Sequence, residues 1–548
     1  MSIEAIEALV DTQWLKENLL NPNVKIIDSR PTAFYLAGHI RNAINSSYDE
    51  SEYMCHGIDI SRGGGVELFS DPAQRLPYQD LPPQRLVEVF GQKLGIKRTD
   101  HIVVYTDGPD SLASRLLYTL DSMGHNKLSI LDGGLDQWIA DGYETTTEKT
   151  KVIPVDYGNA TFAQDRCVDT EWLLNHFLDK NVRLVAGLAY NRFYGPDVPQ
   201  PREGHIPASS CIPFSAHFKA DGTWKAADSI ISMYADFDIR PEHTVVCYCN
   251  HNMHAAVNYF ALRFLAGFPD VRMYMQSAVG WGTDPRILPL ITYGDPAILR
   301  EPKWVFYWGV QAPPLVNDTA IRVVDVRPTE AYDQGHIPYS FNLPVDDVLG
   351  GDCAIQPVEK IEEMLGARGI SRDCQVIVYD EGDCHDAAAL FWILEYLGQS
   401  KVSILNGGFA AWQQKRYMVN NDPPIIDPSK SDWTFDIATR PATYKPEIKQ
   451  DKIASPEWVR QHSADNDKTF LVSGEDEESP GSACIPWSKN LVEGKFDTAI
   501  NLFNLYNKAG ARPLEEIVCC SELLKDSAHA YLALRLLGYP RVRVQVAI

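Results

Sequence analysis

Laid against itself, the chain repeats in an interleaved order, and that order constrains its fold more than any other feature. The run KIIDSRPTAFYLAGHIRNAINSSY from Lys25 matches RVVDVRPTEAYDQGHIPYSFNLPV from Arg322, with Asp28 and Gly38 spaced as Asp325 and Gly335 are. KLSILDGGLDQWIADGY from Lys127 matches KVSILNGGFAAWQQKRY from Lys401. A second pair interleaves with the first: SSCIPFS around Cys211 resembles SACIPWS around Cys484, and YFALRFLAGFPDVR resembles YLALRLLGYPRVR. The modules therefore run A, B, A′, B′. Short β-branched runs (Lys25 to Asp28, His101 to Tyr105, Leu128 to Leu131) alternate with helical stretches such as Leu86 to Leu94 and Leu112 to Met123. That alternation predicts an α/β fold, each module a parallel sheet with helices on both faces. Pro-, Thr- and Asp-rich connectors near Thr145 to Pro154, Tyr293 to Pro302 and Asp422 to Ser431 set the expected domains at 1–150, 151–300, 301–427 and 428–548.

Charge narrows the partners. A net charge of -23 and a pI near 5.0 argue against nucleic acid or an anionic membrane, where Lys and Arg must neutralise phosphates. An anionic substrate would have to be drawn in by local positive groups. The 11 cysteines are odd in number and lack a framework spacing, which suits reduced thiols. The acidic, amphipathic start MSIEAIEALVDTQWLKENLL has no signal pattern, and no later run is long and apolar enough to span a bilayer. A cytoplasmic location is the expectation.

Chemistry points to Cys249. In HTVVCYCNHNMHAAVNYFALRF an apolar strand (Val245 to Cys249) gives way through a six-residue loop to a long apolar helix. Amides at a helix start stabilise an anion there, and a thiolate is one. Cys247, two residues earlier on the same strand face, reads as core packing. His251 and His254 suit either polar contacts of the loop or substrate work. A Cys-x-His-x-x-His cluster suits a soft metal as well, but a tight loop aims its amides inward and supplies no fourth ligand, so no metal is expected.

D-x-R-P followed by G-H-I, then a strand-cysteine-loop-helix, then L-x-G-G-x-x-x-W, resembles the rhodanese superfamily of sulfurtransferases. The likeness covers four units. It resembles two tandem copies of the two-domain thiosulfate and 3-mercaptopyruvate sulfurtransferases, whose first half is a degenerate partner and whose second carries the cysteine. Gapless alignment of the modules sets Thr106 and Asp380 opposite each other, each after a tyrosine as Cys249 follows Tyr248, and sets Ser521 opposite Cys249. Only sulfur at that position can accept and release sulfane sulfur. Domains 1–150, 301–427 and 428–548 are then expected to be inactive and 151–300 catalytic. Cys520 becomes a second site only if the loop of B′ is longer by one residue. B′ also lacks the arginine and the G-H-I.

The resemblance implies a mechanism. The loop Cys249, Asn250, His251, Asn252, Met253, His254 has the six-residue size of sulfurtransferase loops, whereas the related phosphatases use one residue more and end in Arg. A Cys249 persulfide would form from thiosulfate or a mercapto-acid and pass its outer sulfur to a thiol, cyanide or a protein cysteine. No cofactor is needed. Arg192, ahead of Gly204-His205-Ile206, and Arg202 are the expected contacts of the donor's anionic end, with the loop residues lining the rest. The loop departs from the Arg-Lys or Gly-Ser that follows the cysteine in thiosulfate and mercaptopyruvate enzymes, which leaves the donor open. The D-x-R of module B is replaced by Ala186-Gly187-Leu188. His39, His205 and His336, and the pairs Asp28/Arg30 and Asp325/Arg327, are expected to be structural. The Gly- and Ser-rich segment Cys55 to Gln79 reads as a lid or contact loop. A different function, a scaffold of rhodanese-like units that binds a protein partner with little turnover, is what three lost nucleophiles predict, whereas the intact loop with Arg192 is what a sulfurtransferase predicts, and the sulfurtransferase is the favoured expectation.

Overall fold

The computed structural model describes residues 7–47, 58–59, 79–80, 82–159, 162–195, 202–311, 315–316, 319–350, 355–424, 441–463, 465, 468–474 and 483–546. The chain forms two compact units, 1–292 and 293–548. Each unit carries two sheets of one topology. In the first sheet the order is Leu9–Val10, Leu128–Leu131, His101–Tyr105, Val24–Asp28, Ile44–Asn45. The second runs Cys167–Val168, Val271–Tyr274, Thr244–Tyr248, Val182–Ala186, Ser209–Cys211. The third and fourth repeat it around Gln375–Tyr379 and Glu516–Cys520, and the third adds an antiparallel edge, Leu315–Val316. The other pairings in these four sheets are parallel, as a strand-helix alternation dictates. Among the described residues no helix is long and apolar enough to cross a membrane.

The strand His101–Tyr105 and its counterparts Thr244–Tyr248, Gln375–Tyr379 and Glu516–Cys520 lie at the centre of their sheets, covered on both faces, so each reads as an unbroken apolar run such as Thr-Val-Val-Cys-Tyr rather than an alternation. The loop beyond each carboxyl end sits where ligands bind in open α/β sheets. Tyrosine ends this strand in three modules. The Tyr105, Tyr248 and Tyr379 hydroxyls accept the amides of Ile40, Ile206 and Ile337, the isoleucines of G-H-I. The histidine before each makes a backbone bridge to the module's closing segment, at Thr146, Ile291 and Asn420. Only glycine fits ahead of His205, because a Cβ on Gly204 (φ +98°) would lie 2.3 Å from the Ile291 carbonyl oxygen.

Pairing and packing shift two expected limits. Leu299–Arg300 joins Ile404 and Leu405 in the third sheet, ahead of the limit expected at 300/301. Past the limit expected at 150/151, Val155 and Ala163 still bond back to Gly91 and Ser122 of the first module, so this connector runs over module A before the next strand begins. The limit at 427/428 lies outside the described residues. So does most of Cys55 to Gln79, of which the backbone pairing of Ile58–Asp59 with Gln79–Asp80 is described.

Candidate active site

The strand Thr244–Tyr248 ends one residue short of the sequence expectation, so Cys249 is the first residue of the loop, and the helix starts at Ala255. The cysteine is 2% exposed. Burial raises its thiol above the ordinary value, and the amides of Ala255, His251, His254 and Asn252, all aimed at the sulfur, pull it part of the way back. The resting thiol therefore ionises reluctantly inside a ring built for an anion. Around it Asn250, His251, Met253 and His254 are half-buried and form the rim, and the His254 ring stacks on Phe214 at 4.3 Å.

Two residues fix the ring. Asn252 takes φ +67°, a backbone state in which Asn is among the least strained of the residues with a Cβ, and its buried amide group donates to the Met275 carbonyl. Ser277 was not legible as a site residue. It stands four residues before Trp281, as Gly134 stands before Trp138 and Gly408 before Trp412, and shares their left-handed backbone, with φ values of +55°, +61° and +53°. In modules A and A′ the loop rests on that glycine: a Cβ there would lie 2.5 Å from Thr106 O or 2.6 Å from Asp380 O. Module B replaces it with serine, whose Oγ accepts the Cys249 amide at 3.1 Å and donates to Asn252 Oδ1 at 2.9 Å. The break in the G-G pattern falls in the module that keeps the cysteine, and that was the available signal.

Arg192 has a different setting from the one expected. It is 3% exposed and its Nη1 donates to the Gly204 carbonyl at 2.6 Å. Arg30 makes the same bond to Gly38 and Arg327 to Gly335, each also paired with its own Asp28 or Asp325. With Gly187 and Leu188 in place of x-R, module B supplies that structural guanidinium from a helix instead. Gly187 is needed for another reason: its Cβ would lie 2.6 Å from Asn258 Oδ1 and 3.3 Å from the Ala255 amide that faces Cys249. Arg202 is half-buried, and its Nη1 is enclosed without a hydrogen-bond partner among the described residues.

The corresponding positions of the other modules hold no sulfur. The amide after the second strand donates to Tyr105 O, Tyr248 O, Tyr379 O and Cys520 O in turn, so Cys520 stands in the tyrosine's place and Ser521 in that of Cys249. Thr106 donates to the Gly108 carbonyl, which turns an acceptor rather than a donor toward the loop centre. Ser521 donates to Asp526 and accepts the Leu523 amide. Asp380 fills its own ring: Oδ1 accepts the amides of Gly382 (3.1 Å) and Cys384 (3.2 Å), and Oδ2 that of Ala387 (3.1 Å).

Burial and the nearby Asp383 carboxylate nevertheless raise Asp380 to about 7, outweighing the amides of Ala387 and Cys384. A carboxyl raised on folding favours the folded unit at low pH, and that advantage disappears as pH climbs from the unfolded value, about 4, through 7. Asp380→Asn does not titrate. Its stability relative to wild type is therefore expected to rise by about 2–4 kcal/mol between pH 4 and pH 8. Urea midpoints of the 293–548 transition at the two pH values check this, and a constant difference would contradict it.

A rhodanese-like domain family model matches residues 11–141, 169–284 and 312–415. The sulfur carrier protein TtuD of Thermus thermophilus is 27% identical over 288 residues, covering 50% of this chain and 94% of its own. A thiosulfate/3-mercaptopyruvate sulfurtransferase of Arabidopsis thaliana is 27% identical over 308 residues, covering 52% and 78%. Among solved structures, the anaerobic ergothioneine biosynthesis enzyme of Chlorobium limicola aligns at a TM-score of 0.41 and 17% identity, over 69% of this chain and 95% of that one. With three matched segments spanning more than half of its residues, and the same sheet order recurring in a fourth, the chain belongs to the rhodanese-like domain family.

Proposed function

We propose that this chain is a sulfurtransferase that moves sulfane sulfur from a small anionic donor, thiosulfate or a mercapto-acid, through a Cys249 persulfide to a thiol, cyanide or protein-cysteine acceptor. The observation that carries the reading is the convergence of the loop amides of His251, Asn252 and His254 and the first helical amide, that of Ala255, on the Cys249 sulfur. With thiosulfate, the Cys249 thiolate attacks the outer sulfur; a new S–S bond forms, the donor's S–S bond breaks, and sulfite leaves with the electron pair. The acceptor thiolate then takes the outer sulfur and returns Cys249 as thiolate.

Asp380 supports the capacity of such a loop to hold a persulfide. Its carboxylate oxygens lie two bonds beyond Cβ, as the outer sulfur of a cysteine persulfide does, and there they collect three amides. The activities for which the relatives from Thermus and Arabidopsis are named, sulfur carriage and sulfur transfer, agree with this chemistry. Arg202 Nη1, enclosed without a hydrogen-bond partner among the described residues, is the cation we assign to the donor, with Asn250, His251, Met253 and His254 forming the rim. The Thr106, Asp380 and Ser521 modules are non-catalytic in this reading. Their filled or inverted loops also favour a second reading for that part of the chain, a scaffold that binds a protein partner.

Peptide mass analysis after incubation with thiosulfate or mercaptopyruvate tests the proposal. One added sulfur atom on Cys249 is expected, and the more efficient donor identifies the substrate. Label on Cys520, or no label from either donor, would overturn it.

A further inference from the structure

In both units the second module lays a hairpin across the loop at which the first module lacks its sulfur. In the first unit Phe218 bridges to Trp224 around a tip in which Asp221 Oδ1 accepts the Thr223 amide at 2.9 Å. In the second, Leu491–Val492 pairs with Lys495–Phe496 around Glu493 and Gly494. Their φ values of +52° and +75° make the tight turn that a two-residue hairpin favours.

Each hairpin grips the first module at the same two places. One is the segment that carries G-G: Asp132 Oδ1 accepts the Trp224 amide at 2.9 Å, and Asn406 Oδ1 that of Phe496 at 3.4 Å. The glycine after each acceptor makes room, since a Cβ on Gly133 would lie 3.4 Å from Thr223 Cγ2 and one on Gly407 3.2 Å from Lys495 Cε. The other place is the loop itself. Pro109 Cδ lies 3.2 Å from where Gly222 would carry a Cβ, and the Gly382 carbonyl oxygen 3.0 Å from where Gly494 would. The space left at the first loop is a recess lined by Thr106 and Asp110 on one side and Phe218, Gly222 and Trp224 on the other. In the second unit His385 Nε2 also bonds Asp526 Oδ1 at 2.6 Å, and His529 Nε2 donates to the Asp383 carbonyl at 3.3 Å. Module B, which keeps the thiol, breaks this cradle: Gln276, with φ −74°, stands where Gly133 and Gly407 stand.

We propose that the loops Thr106 to Ser111 and Asp380 to Cys384 are docking sockets whose occupant is the hairpin of the following module, and that this cover shuts the first module of each unit to sulfur donors. The two tips, Ala-Asp-Gly-Thr and Glu-Gly-Lys, have little sequence in common, yet they take the same seat. A loop without a nucleophile is free to serve in this way, because nothing has to enter or leave it. The inference concerns access alone and stands apart from the sulfur chemistry proposed for Cys249.

Thr106→Cys and Asp380→Cys, each in the full chain, place a reporter thiol in the two loops, and alkylation by iodoacetamide, read by peptide mass, measures access. Each thiol is expected to react at under about 5% of its rate in the urea-unfolded chain, because reaction then waits for local opening. In the Thr106→Cys protein, replacing residues 219–223 by Asn-Gly keeps Phe218 opposite Trp224 in a two-residue hairpin and removes the tip. Alkylation is then expected to quicken by about tenfold or more. Faster reaction at either loop of the intact chain overturns the inference, and so does a tip removal that leaves the rate unchanged. Thermal melts verify folding, and the two loops are tested independently, so a variant that fails to fold at one leaves the other to decide.

Discussion

Cys249→Ser is expected to remove sulfur transfer, by more than about a thousandfold, while changing the stability of the 1–292 unit by less than about 1 kcal/mol. Oxygen of the same valence fits the ring and can accept its amides, but it cannot carry a sulfane sulfur and release it by thiol exchange. No other module supplies a substitute: the matching residues are Thr106, Asp380 and Ser521. Cys520, at the end of its strand, directs its thiol to the Val518 carbonyl. Assay with thiosulfate and cyanide, beside a thermal melt, separates the alternatives. A residual rate above a few per cent would point to another thiol, and retained partner binding without turnover would favour the scaffold. In the wild type at saturating donor the first half-reaction should quicken with rising pH, because the thiolate is the nucleophile and burial holds the thiol above its ordinary value.

The interleaved repeats made the four modules and their sheet type legible, because a strand-helix alternation has few packed solutions. The loop around Cys249 was legible for the same local reason: a six-residue loop between a buried strand and a helix start leaves its amides facing one atom. Ser277 was not, since its part depends on a left-handed backbone that sequence shows only as a missing glycine. Motif spacing placed Arg192 along the chain but not the direction of its side chain, which bonds the Gly204 carbonyl. Module B lost its x-R, and a guanidinium from four residues on closes the same carbonyl. The hydrogen bond between His385 and Asp526 was invisible because the two lie 141 positions apart and belong to different repeats. The degeneration of B′ is coherent. With cysteine in the tyrosine's place at the strand end, no hydroxyl remains to hold a G-H-I, and that motif is gone from the sequence.

Asp121→Ala is expected to destabilise the 1–292 unit by about 3–5 kcal/mol and to slow persulfide formation with it. A single oxygen, Asp121 Oδ2, takes Arg166 Nε at 3.0 Å, Arg263 Nε at 3.1 Å and the Tyr259 hydroxyl at 2.5 Å. The side chains are 10%, 20% and 19% exposed for Asp121, Arg166 and Arg263, so solvent screens the three charges weakly. Removing the carboxylate leaves two guanidinium groups facing each other and one phenol without its acceptor. Tyr259 and Arg263 belong to the stretch Y-F-A-L-R that comes after the Cys249 loop, so the loss also loosens the helix whose first amide faces the sulfur. The second unit repeats the device, with Glu395 accepting Tyr531 and Arg535 of the matching Y-L-A-L-R. The repeat in these two sequence runs is therefore a clamp between paired modules. Denaturant unfolding monitored in both units gives the check. A loss below about 1 kcal/mol would mean that solvent already reaches these charges, whereas loss of Cys249 labelling at full stability would mean that Asp121 acts on the site directly.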